Sequence, residues 1–274
     1  MSFRRHKSGA FVVVLVLAFL WLPIVFVAVH SFNKDELMVS WAGLTWQWYK
    51  IALQDPSVRD GLRTTLSIAA LSSAISVTLA VAGALWWRKA PRRGRRVFDA
   101  LTYARIILPE VVFATALFLF LLKTHVPFGF TAIVIGHVVW NSAYATLIIQ
   151  ARLVALEPSL EEAAADLGAP PWSTFRRVTF ATLLPAILAA GLLTFTFSFD
   201  DVVTSYFMGG SSSSPLPIVL LGLVRERVTP EVNAIGVMVM LFTLSLIGLA
   251  GAMLSIRRGA TRERLLATYR RMNA

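Results

Sequence analysis

Cysteine is absent from all 274 residues, which excludes disulfides, thiolate metal sites and cysteine nucleophiles at once. Charge is scarce as well. Asp, Glu, Lys and Arg make up 15% of the chain, where a soluble domain carries about a quarter. No Gly-Lys pair occurs anywhere, so the chain has no Walker phosphate loop and is not expected to bind ATP itself. The histidines His6, His30, His125 and His137 are scattered, without metal-ligand spacing. Nothing resembles a nucleophile elbow. No internal repeat of fixed period is present, and no soluble domain. An enzyme active site is therefore not expected here.

What is present is apolar sequence in long runs. Hydrophobic residues make up 57% and the mean hydropathy is +0.68, which predicts an all-α integral membrane protein. The run from Ala10 to Val29 gives a helix of about 30 Å, enough to cross a bilayer. It follows Arg4, Arg5 and Lys7 and has no small-x-small cleavage site, so it reads as a retained signal-anchor. A mixed segment from His30 to Arg63 holds Trp41, Trp46, Trp48 and Tyr49, suited to a membrane–water boundary. Further spans are expected at about Thr64–Trp87, Phe98–Leu122 with an interruption at Pro109-Glu110, Thr131–Val154, from near Leu183 to beyond Asp201, and Val232–Ile256. Ser205 to Glu231 reads as an outer loop with a four-serine run.

The net charge of +11 could suggest nucleic acid, but its placement argues against that. The cations flank the apolar runs, as the positive-inside rule requires. Eighteen Lys/Arg fall in the segments assigned inside and seven in those assigned outside; Arg105 remains, near the inner end of the third span, placed to snorkel to that interface. Six helices with both termini inside is the consistent topology.

The stretch Glu157–Pro185, EPSLEEAAADLGAPPWSTFRRVTFATLLP, is the long polar interval with a pattern of its own. Pro158-Ser159 opens a short helix with acids in its first turn, Gly168 ends it, and Pro170-Pro171-Trp172-Ser173 starts a second. Glu162-Ala163-Ala164, three positions and then Gly168 resemble the EAA signature of permease subunits of binding-protein-dependent ABC importers. Val178 stands at that pattern's apolar position. Phe180-Ala181 departs from its usual Leu-Pro, and Leu184-Pro185 follows. The resemblance implies a single permease domain over 1–274, a coupling segment at 157–185 and a basic cytoplasmic tail at 257–274. In it, Glu161, Glu162, Ala163, Ala164, Asp166 and Gly168 would engage a cytoplasmic ATPase.

Three acids lie within expected spans: Glu110, Asp200 and Asp201. A charge at a helix centre costs roughly 2.5–3.5 kcal/mol on insertion scales, so such residues face a cavity or a partner. Thr194, Ser198, Asp201 and Ser205 fall on one helical stripe with Asp200 flanking it, and His137, Asn141 and Tyr144 repeat that spacing with Trp140 beside them. Two uses remain open for these groups: lining a substrate pathway, or helix–helix hydrogen bonding, pairing with Arg105 and hydration at the outer interface. Ser198-Phe199-Asp200-Asp201-Val202-Val203, Leu216-Pro217, Pro230-Glu231-Val232-Asn233-Ala234 and Pro109-Glu110-Val111 resemble the spermidine/putrescine permeases, most closely their second permease subunit. Ala42-Gly43-Leu44-Thr45 with Trp48-Tyr49 looks like the first outer loop of such permeases.

The resemblance implies a multi-pass subunit of the bacterial inner membrane, embedded in lipid and binding no nucleic acid. Its partners would be a homologous second permease subunit, two ATPase subunits carrying ATP and Mg, and an extracytoplasmic binding protein; this chain would hold no cofactor or metal. Polyamine is the implied cargo. Glu110, Asp200, Asp201, Ser198, Trp140, Asn141 and Tyr144 are the pathway candidates. Related permeases carry phosphonates, amino-acid derivatives or iron. A stand-alone ion-coupled transporter or channel would leave the EAA segment without a purpose.

Overall fold

Backbone polar groups in lipid must be satisfied within the chain, which leaves helices as the natural solution for these apolar runs. The computed structural model describes residues 7–210, 214–248 and 251. Arg4, Arg5, Ser211 to Ser213 and the basic tail at 257–274 lie outside the described residues. Among those described, the regular structure is helical apart from one antiparallel bridge between Asn33 and Leu44. Five helices are long and apolar enough to cross a membrane, six if a helix pair bent by 109° counts as one span.

The chain forms two compact units. The first comprises residues up to Asp60 together with Val219–Leu244. Helix α1 (Lys7–His30) is apolar around its whole circumference, and every residue from Phe11 to Leu22 is exposed. A helix of that kind is made for lipid. The loop after it is held by Asn33, whose side chain takes the Ala42 N–H at 2.9 Å and gives one bond to the Ser40 carbonyl at 2.7 Å. On α2 (Gln47–Gln54), the buried Trp48 indole donates to the Asn33 carbonyl at 2.7 Å. Asp35 accepts the Ser40 N–H at 2.9 Å, and that bond holds its carboxyl below the usual range. Helix α12 (Pro230–Gly248) lies in this unit through Leu244.

The second unit runs from Gly61 to Ile218 and contains the candidate site. Its long helices are α3 (Pro56–Lys89, entering the unit at Gly61), α6 (Phe130–Val154) and α9 (Phe180–Phe199). Small residues on α3 let the helices approach closely. Ala80 and Ala84 of α3, Ala145 and Ile149 of α6, and Leu183 and Ala190 of α9 form one buried cluster. Serines stitch the same seam: Ser73 bonds Thr194 at 2.7 Å and donates to the Gly191 carbonyl at 2.8 Å, and Ser72 bonds Ser198 at 3.0 Å.

Four features depart from the expected spans. The second begins at Pro56 rather than Thr64. The third is two helices, α4 (Arg92–Ile107) and α5 (Glu110–Lys123), bent by 109°. Pro109 drives Leu108 into extended backbone (φ −64°, ψ 130°) and so ends α4 before it. The helical stretch leading to the fifth span starts at Pro171, well before Leu183, and continues to Phe199 through a π-turn at Phe175–Thr179. Asp200 and Asp201 therefore lie beyond its end. The expected outer loop contains two helices, α10 (Val203–Met208) and α11 (Leu216–Glu226).

Candidate functional site

Two places in the second unit gather the residues singled out from sequence. The first is the segment after α6. Helix α7 (Pro158–Asp166) starts on a proline and ends as the spacing of Glu162 and Gly168 requires. Gly168 has φ +78°, its N–H bonds the Ala165 carbonyl at 2.8 Å, and the Ala169 N–H reaches back to Ala164 at 3.0 Å. This is the paired-bond helix terminus that needs a left-handed residue. Helix α8 (Pro171–Thr174) follows at once.

Glu161 anchors the pair. Its carboxylate accepts from Arg88 at the end of α3 at 2.8 Å, and from the Thr179 hydroxyl. Partial burial raises its proton affinity, but the bonds from Arg88 and Thr179 outweigh that and hold its carboxyl below the usual range. Glu162, Ala163, Asp166 and Gly168 face outward, and Ala164 is half-buried. No residue of α7 is buried, and Leu167 and Trp172 are 89% and 71% exposed. The helix pair thus carries bare apolar side chains among its acids. Arg88 as the partner of Glu161 was missed from sequence, because it counted there only among the cations of the segments assigned inside.

The second place lies where α4, α5, α6, α9 and α10 meet. Ser198, Asp201 and Ser205, read as one stripe of a continuous helix, do converge although the helix breaks after Phe199. They meet on His137. The imidazole Nδ1 bonds the Ser198 hydroxyl, and Nε2 lies 3.1 Å from Asp201 Oδ1. Asp201 also accepts the Ser205 N–H at 2.8 Å. Asn141 donates to the Thr194 carbonyl at 3.3 Å. The side chains of His137 and Asp201 are 3% and 7% exposed, while Asn141 and Ser198 are 1% and 4% exposed. In this conformation those groups join helices.

The accessible groups are others. Glu110 lies in the first turn of α5, half-buried, where the helix dipole favours an acid, and it interacts with Asp201. Trp140 and Tyr144 are half-buried with ring centroids 6.0 Å apart, and Tyr144 meets Phe197 edge-on at 5.2 Å. Asp200 is exposed at the end of α9. Arg105 does not snorkel to an interface, and among the described residues it forms no ion pair with a carboxylate. It is 8% exposed, with its guanidinium carbon 3.4 Å from the Trp140 ring centroid and 3.9 Å from that of Phe113. No sequence signal linked Arg105 to Phe113, since the bend at Pro109 brings them together. No group of His, Asp and Glu among the described residues has the arrangement of a metal site.

Residues 67–256 match the family described as binding-protein-dependent transport system inner membrane component. The chain is 31% identical over 247 residues to the spermidine/putrescine transport system permease protein PotC of Haemophilus influenzae, covering 90% of this chain and 96% of that protein. It is 32% identical to the putrescine transport system permease protein PotI of Escherichia coli, over 88% of this chain and 87% of that one. Among solved structures, a bacterial ABC transporter involved in the import of the acidic polysaccharide alginate superposes with a TM-score of 0.68 at 15% identity, over 88% of this chain and 91% of that chain. An amino acid ABC transporter solved with histidines superposes at 0.59 and 21% identity, over 77% of this chain and 98% of that chain. At such identities the two structures share the backbone plan, and that plan does not encode the cargo.

Proposed function

Because the chain belongs to the family of binding-protein-dependent transport system inner membrane components, we propose that it is the permease subunit of an ATP-driven importer that moves putrescine, spermidine or a similar small cation inward. It is a multi-pass inner-membrane protein and a transport subunit rather than an enzyme. A homologous second permease chain, two ATPase chains holding ATP and Mg, and an extracytoplasmic binding protein complete the assembly. The acid-rich segment at 157–185 and the basic tail at 257–274 face the cytoplasm in this reading, with both termini inside. ATP-driven closure of the ATPase pair presses on Glu161 to Thr179 and rocks the helices between inward- and outward-facing states.

The observation that supports the substrate reading is that Glu110, beside Asp201, is an electrostatic neighbour of Arg105, which packs on Trp140, itself 6.0 Å from the Tyr144 ring. A polyamine has several positive charges on an apolar backbone. Carboxylates offset its desolvation, and aromatic faces add cation–π contacts of about 0.5–2 kcal/mol each.

Uptake of labelled putrescine and spermidine is measured in cells expressing the complete transporter, with the wild-type chain, Asp201→Asn and Glu110→Gln. ATPase copurification is checked in each. The expected result is uptake in wild type, lost in both variants with assembly intact. Absence of polyamine uptake by a wild-type chain that still holds the ATPase would remove the cargo from this proposal and keep the importer.

A further inference from the structure

Arg105 is the anomaly of the second unit. Its Nε, Nη1 and Nη2 are all buried, and none has a hydrogen-bond acceptor among the described residues. A buried cation is ordinarily paired, because leaving its donors unmet forfeits the hydration they had in water. Here the guanidinium is wedged between two rings from different helices, Phe113 of α5 and Trp140 of α6, whose centroids are 5.9 Å apart. Glu110 and Tyr144 are its ionisable neighbours. The rings hold the charge by their faces, and the edges of the guanidinium find no hydrogen-bond acceptor among the described residues.

We propose that the Phe113–Trp140 ring pair beside Glu110 is an ammonium subsite of the transport pathway, and that Arg105 is its resident cation when no cargo is present. This rests on the reading of the chain as an importer of polyamines or similar cations. An arriving ammonium group takes over both ring faces and gains the Glu110 carboxylate. The displaced guanidinium gives up its two ring contacts but no hydrogen bond. Until then the resident charge keeps other cations out of a slot that would attract them. The apparent affinity of the slot is lowered by the fraction of time Arg105 occupies it. Removing Arg105 should therefore tighten binding, the opposite of what deleting an ordinary ligand-binding arginine does.

The test uses the assembled permease–ATPase complex in detergent without the binding protein, titrated calorimetrically with putrescine and, as the minimal probe, methylammonium. Arg105→Gln is expected to bind both at least about tenfold more tightly than wild type, and Arg105→Gln with Trp140→Leu to lose that gain. Arg105→Lys keeps a resident cation and should stay near wild type. Arg105→Met, which preserves length and packing between the rings, substitutes for the glutamine variant if that one does not assemble. Equal affinities in wild type and the neutral variants would overturn the proposal. Uptake of labelled putrescine by the reconstituted complete transporter separates this inference from the functional reading. Uptake with equal affinities sinks the subsite alone. No uptake with tightened methylammonium binding sinks the polyamine reading and keeps the subsite.

Discussion

Glu161 shows how much of this molecule is decided by single side chains meeting across distance in sequence. It binds Arg88, 73 residues earlier, and Thr179, 18 residues later. Its lowered proton affinity makes the contact a feature of neutral pH: the contribution is full above the ordinary carboxylate range and is lost as pH falls through the lower folded value. ATP hydrolysis stimulated by the binding protein should therefore be insensitive to this group between about pH 6 and 8. The side chains of Arg88 and Glu161 are each 27% exposed, so solvent screens the pair and its worth is about 0–1 kcal/mol. Glu161→Gln is expected to reduce stimulated hydrolysis by at most about fivefold. Glu161→Ala, which also strips Thr179 of its acceptor, should reduce it further. Full stimulation in the alanine variant would show that this anchor does not hold the segment in its working position.

Two glycines carry predictions about how elements join. At Gly168 the backbone is left-handed and nothing lies within 4 Å of where a Cβ would stand. Substitution there is a conformational problem and not a packing one. Left-handed backbone costs a residue with a Cβ about 1–2 kcal/mol, more when β-branched and less for asparagine. Gly168→Val should thus lose ATPase copurification while Gly168→Asn retains it. Equal behaviour of the two would argue that the turn does not set the docking geometry.

Gly136 poses the reverse case. Its backbone is ordinary helix, but a Cβ would come within 2.5 Å of Thr204 Cγ2, where α6 crosses α10. Alanine there gains up to about 1 kcal/mol of helix propensity and loses about 1–3 kcal/mol to overpacking, so the loss prevails. Thr204 Oγ1 has no hydrogen-bond partner among the described residues, so Thr204→Ser removes the offending methyl without breaking a bond. Gly136→Ala should lower the thermal unfolding midpoint in micelles, and Thr204→Ser should restore most of it. A Gly136→Ala protein as stable as wild type would mean that α10 can move aside.

At the scale of the whole chain, the locally encoded features were legible in sequence. The all-helical membrane architecture follows from the length of the apolar runs. The turn at Gly168 follows from a helix terminus that closes within six residues. Those signals survive without tertiary context because hydropathy and helix capping act over a few residues. The interruption expected within the third span does fall at Pro109, but sequence does not show the 109° bend there. The stripe of Thr194, Ser198, Asp201 and Ser205 was read as one helix face, and its helix stops at Phe199. What brings Ser198, Asp201 and Ser205 together is His137, 61 to 68 residues away. Arg105 was placed at an interface because a long cation near a span's end usually reaches water. Only the fold of α4 against α5 and α6 puts two aromatic faces within 4 Å of its guanidinium carbon. Hydrophobic transfer and local capping are sums over neighbours in the chain, and the sequence by itself determined them. The buried charge, the His137 network and the anchor at Glu161 depend on which helix faces pack together, and that is set by long-range contact, so only the tertiary structure decided them.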